Sequence, residues 1–301
     1  MRLTQIRDFV TVVESGSIRG AARKLGVSQP AITKSVRSLE SELHARLIQR
    51  TPQGIVPTPS GRAFFARARV AHAELRKAEE EAAQADGGGA GSVAFGVGPT
   101  AAFMIVPEAV SRFRNEFPKA RIQIVEGFPQ QFLPLVRDET LDFAIGARPG
   151  GKLDPALTFR PLFRHDFVVV ARKAHPLRNA RSLAQLAGAD WINFVPPGAP
   201  GGPLERAFSS AGMPAPQQAI QCDSYNSALG LLAKTDMLGI MSRRMLTDSF
   251  ARDFFQEIAV AESMPSYTAG IFMRADPPLT SLAAAMAKAI TAAARALTRT
   301  A

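Results

Sequence analysis

Gln29, Thr33, Lys34 and Arg37 bring side chains suited to nucleic-acid chemistry onto one stretch, at a spacing that places them on one helical face. These side chains hydrogen-bond base edges and phosphates: a Gln amide can read adenine, and a Lys ammonium guanine or phosphate. Pro30 stands beside them, in a first helical turn where its missing N–H is tolerated. Such a face needs a support. Ile32, Val36, Leu39 and Leu43 form an apolar stripe on the other side, at spacings of 4, 3 and 4. Ser28 is placed to cap this helix. A shorter helix precedes it, capped by Ser17, with Ile18, Ala21, Ala22 and Leu25 on one face and Gly26 at an exit that favours a left-handed residue. Two short helices around a tight turn are the layout of a helix-turn-helix, whose second helix enters a major groove. An ordinary helical hairpin with a solvated polar face would carry the same pattern.

Charge separates the two readings. Residues 1–69 hold twelve Lys and Arg against four Asp and Glu, a net +8 out of +10 for the 301-residue chain. A basic end of this kind suits a phosphate partner, because neutralised phosphates release counterions. The length suggests two or three domains, and a 46% hydrophobic content can fill sizeable cores. The single cysteine, Cys222, excludes a disulfide framework and a cysteine-rich metal site and fits a reducing compartment. Charges early in the chain leave no visible secretory signal, and no uncharged apolar run reaches about 18 residues. The expectation is a soluble, cytoplasmic protein without a membrane partner.

Other elements must position the hairpin. Residues 4–15 predict a first helix, with Ile6, Phe9, Val10 and Val13 sharing a face. Residues 47–57 predict a short hairpin with a basic tip, a wing on which Arg50 is the candidate phosphate or minor-groove contact. Thr58-Pro59 opens a long helix to about Asp86, roughly 40 Å at 1.5 Å per residue. Its seam of Phe64, Ala68, Ala71, Leu75, Ala78 and Ala82 follows a heptad spacing. With no partner of its own in the chain, it reads as a dimer helix. The stretch Gly87–Gly91 is a flexible linker by composition.

From Ser92 onward, short apolar runs alternate with helical patterns, which implies α/β architecture. Expected strands include 92–97, 121–125, 141–145, 159–163, 167–171, 191–194, 219–222, 238–241 and 267–273. Expected helices include 101–117, 130–138, 182–186, 203–211, 227–233 and 279–297. The expected fold is therefore an N-terminal all-α winged helix-turn-helix with a linker helix, then a C-terminal α/β domain of two doubly wound subdomains. The divisions are 1–58 for DNA binding, 59–86 for the dimer helix, 87–91 for a hinge and 92–301 for a ligand domain. Within that domain, subdomain I covers about 92–164 and 268–301, and subdomain II about 165–267.

The N-terminal 60 residues resemble the LysR-type transcriptional regulators. Phe9, Gly16-Ser17, Ala21-Ala22, Leu25, Val27-Ser28-Gln29-Pro30-Ala31, Leu39-Glu40, Leu43, Arg50 and Thr58-Pro59-Ser60-Gly61 carry the likeness. It continues through Pro107, Phe113, Phe117-Pro118, Leu141-Asp142-Phe143-Ala144-Ile145 and His175-Pro176-Leu177, and so covers essentially the whole chain. The resemblance implies DNA contacts from Gln29, Pro30, Thr33, Lys34 and Arg37, with Arg50 on the wing. It also implies an effector domain like a periplasmic solute-binding protein, a dimer of dimers on a promoter, a small-molecule effector and contact with RNA polymerase. Two departures stand out: His44 where the family often has Gly, and a longer Gly-rich linker.

Ligands of α/β sheets bind beyond the carboxyl ends of the strands, and helix N-termini there favour anions. Thr100, Phe128, Pro129, Arg148, Gly201, Gly202, Ser224 and Asn226 stand at such positions and resemble the family's pocket. Thr100 and Ser224 equally suit plain helix capping. Arg148 and the Gly201-Gly202 amides favour a small organic anion, and Phe128 an aromatic one. No catalytic group, metal or cofactor is indicated: His44, His72, His165 and His175 lack metal-ligand spacing, and no nucleophile elbow is present. Gly96-x-Gly98-x-x-Ala101 imitates a dinucleotide fingerprint, but Pro99 removes an amide that a pyrophosphate would need. The alternatives are a solute-binding protein of the periplasmic type and a nucleotide-dependent enzyme; neither explains residues 1–86.

Overall fold

The computed structural model describes residues 1–52, 54–85, 91–193, 202–216, 218–222, 224–248 and 250–299. The chain divides into two compact units, residues 1–88 with 138–140, and residues 89–137 with 141–301.

The N-terminal unit contains α1 (Leu3–Ser15), α2 (Ile18–Leu25), α3 (Gln29–Glu42), β1 (Ile48–Thr51), β2 (Gly54–Pro57) and α4 (Pro59–Ala85). Its caps follow from its sequence. The Ser17 hydroxyl accepts from the Gly20 amide, and the Ser28 hydroxyl from the Ala31 amide. Gly26 is left-handed, and Val27 N–H donates to the Ala22 carbonyl, closing α2 with a Schellman turn. At the end of α3 the same turn is made around His44, which adopts φ 49. Ala45 N–H donates to the Glu40 carbonyl and His44 N–H to that of Ser41. A side chain is therefore held where Gly is the ordinary solution.

Phe9 lies fully buried at the centre of this unit, against Phe64 and Phe65 at ring separations of 5.4 and 6.3 Å. Ile32, Val36 and Leu39 are buried around it. The wing is tied to this core through backbone. One Glu40 carboxylate oxygen accepts from Leu47 N–H at 2.7 Å and Ile48 N–H at 3.2 Å. Ile55 N–H donates to the Gly16 carbonyl. Thr58 caps α4 by accepting from Gly61 N–H, and its own amide donates to the Leu47 carbonyl.

The seam of α4 is not uniform, and the expectation that it lacks a partner within the chain fails at its N-terminal end. Ala68 is buried in this unit's own core, and Phe64 packs on Phe9. The reason is the register of α4, which lays its first turns on α1. Ala71, Leu75 and Ala78 are exposed.

The C-terminal unit runs β3 (Ser92–Val97), α5 (Pro99–Met104), α6 (Val106–Glu116), β4 (Arg121–Glu126), α7 (Pro129–Arg137), β5 (Phe143–Ala147) and β6 (Leu157–Arg172). After a 3₁₀ turn at Leu183–Leu186 come β7 (Trp191–Asn193), α8 (Pro203–Ser210), β8 (Gln218–Gln221), α9 (Tyr225–Lys234) and β9 (Gly239–Ser242). Then follow α10 (Arg243–Asp248), α11 (Ala251–Phe254), β10 (Phe255–Ile258), β11 (Ser266–Arg274) and α12 (Ser281–Arg299). The main sheet has the order β10-β6-β11-β5-β3-β4, with β9 also on β6. β3 is parallel to β4 and β5, whereas β11 is antiparallel to β5 and β6. β7 and β8 form a parallel pair.

Three local expectations change. The predicted helix 101–117 breaks at Ile105, because Pro107 has no N–H to donate and its ring opposes the carbonyl four residues back. The runs 159–163 and 167–171 are one 16-residue strand, β6, with Pro161 accommodated at a register shift against β11. β10 pairs with β6 where no strand was expected.

β6 organises the unit. Its first part, Leu157–Asp166, pairs with β11, and its last part, Phe167–Arg172, pairs with β9 and β10. The buried side chains separate accordingly. Phe95, Phe143, Phe163 and Ile271 pack with Met286 and Ile290 of α12. Val168, Val170 and Met241 pack with Leu232 and Met245, and Val169 and Ile240 pack with Trp191 and Phe208. The buried Asp142 carboxylate accepts from Ala94 N–H and joins the start of β5 to β3. Among the described residues, no helix is long and apolar enough to cross a membrane.

Candidate functional site

The first candidate site is the outer face of α3. Gln29, Pro30, Thr33, Lys34 and Arg37 line one open depression together with Ser38. Gln29, Pro30, Lys34 and Arg37 are exposed and Thr33 is half-buried. The Thr33 hydroxyl donates to the Gln29 carbonyl at 2.9 Å, which leaves its lone pairs available as acceptors. Ile32, Val36 and Leu39 lock the opposite face into the core, so the reading face cannot rotate without unpacking the unit. Arg50 is exposed on β1, paired in register with Ile55 of β2. The wing residue Gln53 is outside the described residues.

The second candidate site is a cavity of about 580 Å³ within the C-terminal unit. Thr100, Phe128, Pro129, Arg148 and Gly202 line it. Each stands at a strand end or helix start, where the α/β pattern places it. Ser224 and Asn226 do not line it. Ser224 is spent on capping α9, accepting from Ser227 N–H, and Asn226 points to solvent at the first turn of that helix. The lining residue there is their neighbour Tyr225. Gly201 lies outside the described residues.

Several lining residues escaped the sequence reading: His165, Asn193, Arg206, Tyr225, Ser242 and Tyr267. Arg206 of α8 stacks over the Tyr267 ring at 5.1 Å, and Arg148 over Phe159 at 5.9 Å. Among the described residues, no carboxylate lines the cavity. Burial pushes the phenols of Tyr225 and Tyr267 up, Glu126 adding to the first and Arg206 opposing the second, so both stay protonated.

His165 is pushed down to about 4, first by burial and then by the Arg244 charge, with Asp166 opposing. Its imidazole is therefore neutral near pH 7. Between the ordinary value of 6.5 and about 4, the unfolded chain takes up a proton that the folded chain refuses. This contribution to stability is complete above pH 6.5 and is lost as pH falls towards 4, by roughly 3 kcal/mol in all. His165→Gln is expected to flatten that part of the profile, as read by urea denaturation at a series of pH values. An unchanged profile would place the acid sensitivity elsewhere.

Comparison with known proteins settles the family. Residues 86–295 match the LysR substrate binding domain, and residues 3–62 match the bacterial regulatory helix-turn-helix of the lysR family. The chain belongs to the LysR family. Among curated relatives, the HTH-type transcriptional regulator TdcA of Escherichia coli (strain K12) is 29% identical over 259 residues, 85% of this chain and 82% of TdcA. The crystal structure of CbnR, a LysR family transcriptional regulator, aligns at a TM-score of 0.71 and 18% identity, covering 98% of this chain and 99% of CbnR. Full-length CbnR complexed with its target DNA aligns at 0.70 and 18% identity, covering 97% and 100%. At that identity, the likeness shows the fold.

This LysR-type protein is a DNA-binding transcriptional regulator and not an enzyme. Its C-terminal α/β unit is the substrate-binding domain of that family. The solute-transport and nucleotide-enzyme readings fall away. Gly96, which suggested a dinucleotide fingerprint, has a packing reason: a Cβ there would come within 2.8 Å of the Phe132 Cβ.

Proposed function

We propose that this regulator is controlled by a small organic anion held in the cavity of its C-terminal unit. One observation carries the reading. Arg148 and Arg206 line the cavity, and among the described residues no carboxylate does. A concave wall with two guanidinium groups and no acid among its described residues favours a carboxylate or sulfonate, which Arg can meet with paired hydrogen bonds. Phe128, Phe167 and Tyr267 supply aromatic surface, which favours an aromatic acid. Thr100, Pro129 and Gly202 complete the proposed contacts.

On DNA, the proposed contacts are Gln29, Pro30, Thr33, Lys34 and Arg37 from α3, with Arg50 on the wing. The proposed divisions are 1–58 for DNA binding, 59–86 for dimerisation, 87–91 for the hinge and 92–301 for the effector. Self-association through the exposed Ala71, Leu75 and Ala78 of α4 would present two reading helices to two half-sites. Family resemblance extends this to a dimer of dimers on a promoter, acting in the cytoplasm on RNA polymerase.

A thermal-shift screen of aromatic and aliphatic acids on the full chain tests the effector class. A saturating acid at 100 times its Kd is expected to add about 2.7 kcal/mol to the unit that binds it. Stabilisation by cations or neutral sugars alone would overturn the assignment.

A further inference from the structure

Two side chains of the cavity wall have a property that the anion reading leaves unused. Ser242 and His165 are 2% and 6% exposed. Among the described residues, neither the Ser242 hydroxyl nor the His165 Nδ1 has a hydrogen-bond partner. Both residues line the cavity. Two further buried side chains of this unit are engaged. The second buried histidine, His175, uses both ring nitrogens, one at the Asp236 carbonyl and one at Leu177 N–H. Trp191 donates to the Leu186 carbonyl. An unpaired buried polar group opposes folding, so two of them on one cavity wall point to a ligand group that completes them.

The sheet explains why they act together. Ser242 of β9 faces Phe167 of β6, and His165 of β6 faces Tyr267 of β11. Directly paired residues share a face, as do residues two apart on one strand. Ser242, Phe167, His165 and Tyr267 therefore form one continuous wall. The rings bear this out, with His165 stacked on Phe167 at 5.9 Å and Phe167 edge-on to Tyr267 at 5.4 Å. The wall spans the point where β6 exchanges β11 for β9.

We propose that Ser242 and His165 form a polar subsite that selects an effector bearing a hydroxyl group in addition to its acid group. A hydroxyl both donates and accepts, and so do a serine hydroxyl and a neutral imidazole. A ligand hydroxyl placed between them can accept from one and donate to the other. The effector is thus a hydroxylated organic acid. Its deoxy analogue would leave both protein groups unpaired, which is the strongest kind of discrimination a small change in a ligand can meet. This proposal rests on the organic-anion reading of the same cavity.

The test is calorimetric titration of the full chain with matched probes: benzoate against 4-hydroxybenzoate, cinnamate against 4-hydroxycinnamate, and hexanoate against 6-hydroxyhexanoate. In at least one pair the hydroxylated acid is expected to bind about tenfold more tightly or better. Ser242→Ala is expected to bring that ratio close to one, leaving the Kd of the deoxy acid nearly unchanged. His165→Phe provides a second variant with the same expectation. Acids that bind without hydroxyl preference, or a preference that survives both substitutions, would overturn this subsite and leave the anion reading standing. Absence of binding by every acid would overturn both. Where one variant does not fold, the other carries the comparison, and a wild-type ratio near one in every pair overturns the subsite by itself.

Discussion

Gly61→Ala is expected to destabilise the N-terminal unit by about 2 kcal/mol. A Cβ at this position would sit 1.8 Å from the Leu47 carbonyl oxygen and 2.8 Å from its carbon. Both are backbone atoms, so no rotamer change relieves the contact. The Leu47 carbonyl is also fixed from two sides: it accepts from Thr58 N–H, and the Leu47 amide donates to Glu40. Either the wing or the first turn of α4 must move, and forced movement in a packed region costs about 3 kcal/mol at the upper end. Against this, Ala for Gly in a helix gains up to ~1 kcal/mol. For a unit of this size, the net loss lowers the melting temperature by roughly 8–16 °C. Amide hydrogen exchange localises the effect, with protection expected to fall across residues 3–57 and to hold across β3, β5 and β11. Gly188→Ala is the control, since nothing lies within 4 Å of a Cβ there. A melting temperature raised by Gly61→Ala would show that the helical gain outweighs the contact.

This glycine also marks the limit of what could be read from the chain. Thr58-Pro59-Ser60-Gly61 stood out by resemblance, and the cap and the proline at the first helical position were legible as local chemistry. The need for Gly at the fourth place was not, because it arises from a carbonyl fourteen residues away. Leu39-Glu40 behaves alike. Leu39 belongs visibly to the apolar stripe, whereas Glu40 becomes intelligible only once the wing amides of Leu47 and Ile48 are seen on its carboxylate. Local signals, such as Ser17, Ser28 and Gly26, transferred directly into the observed caps.

The cavity divides along the same line. Thr100, Phe128, Pro129 and Arg148 were legible because strand ends and helix starts alternate regularly in that half of the unit. Ser224 caps α9 and is not among the lining residues; a helix cap and a ligand contact use the same residue type, so the sequence left both open. His165, Ser242 and Tyr267 were not legible. They meet through antiparallel pairings of β6 with β9 and β11, which no local period announces. Pro161 and the polar run Arg164-His165-Asp166 made β6 read as two strands, which hid the wall it builds. The α4 seam was ambiguous for a different reason: a Phe at a heptad position suits a partner helix and the ring of Phe9 equally well.

Lys34→Ala is expected to weaken DNA binding by roughly 30-fold to 150-fold while leaving self-association unchanged. Lys34 is exposed on α3, one residue beyond the half-buried Thr33 and away from the stripe of Ile32, Val36 and Leu39. Its removal therefore takes nothing from the core, and α4 is untouched. A base or phosphate contact of this type is worth about 1–1.5 kcal/mol at the low end of its range, and the proposed dimer on two half-sites would lose it twice. The measurement is a gel-shift titration at fixed salt, on a fragment selected by the wild-type protein from random-sequence DNA. A salt series then separates the two roles. If Lys34 meets phosphate, the slope of log affinity against log salt falls by about one per copy and every sequence weakens alike. If it meets a base, the slope holds and discrimination relaxes at one position of each half-site. Arg50→Ala on the wing is the comparison, since a minor-groove or phosphate contact there should change the salt slope without relaxing a major-groove position. Affinity unchanged by Lys34→Ala would remove this residue from the reading face and leave Gln29, Thr33 and Arg37 to account for it.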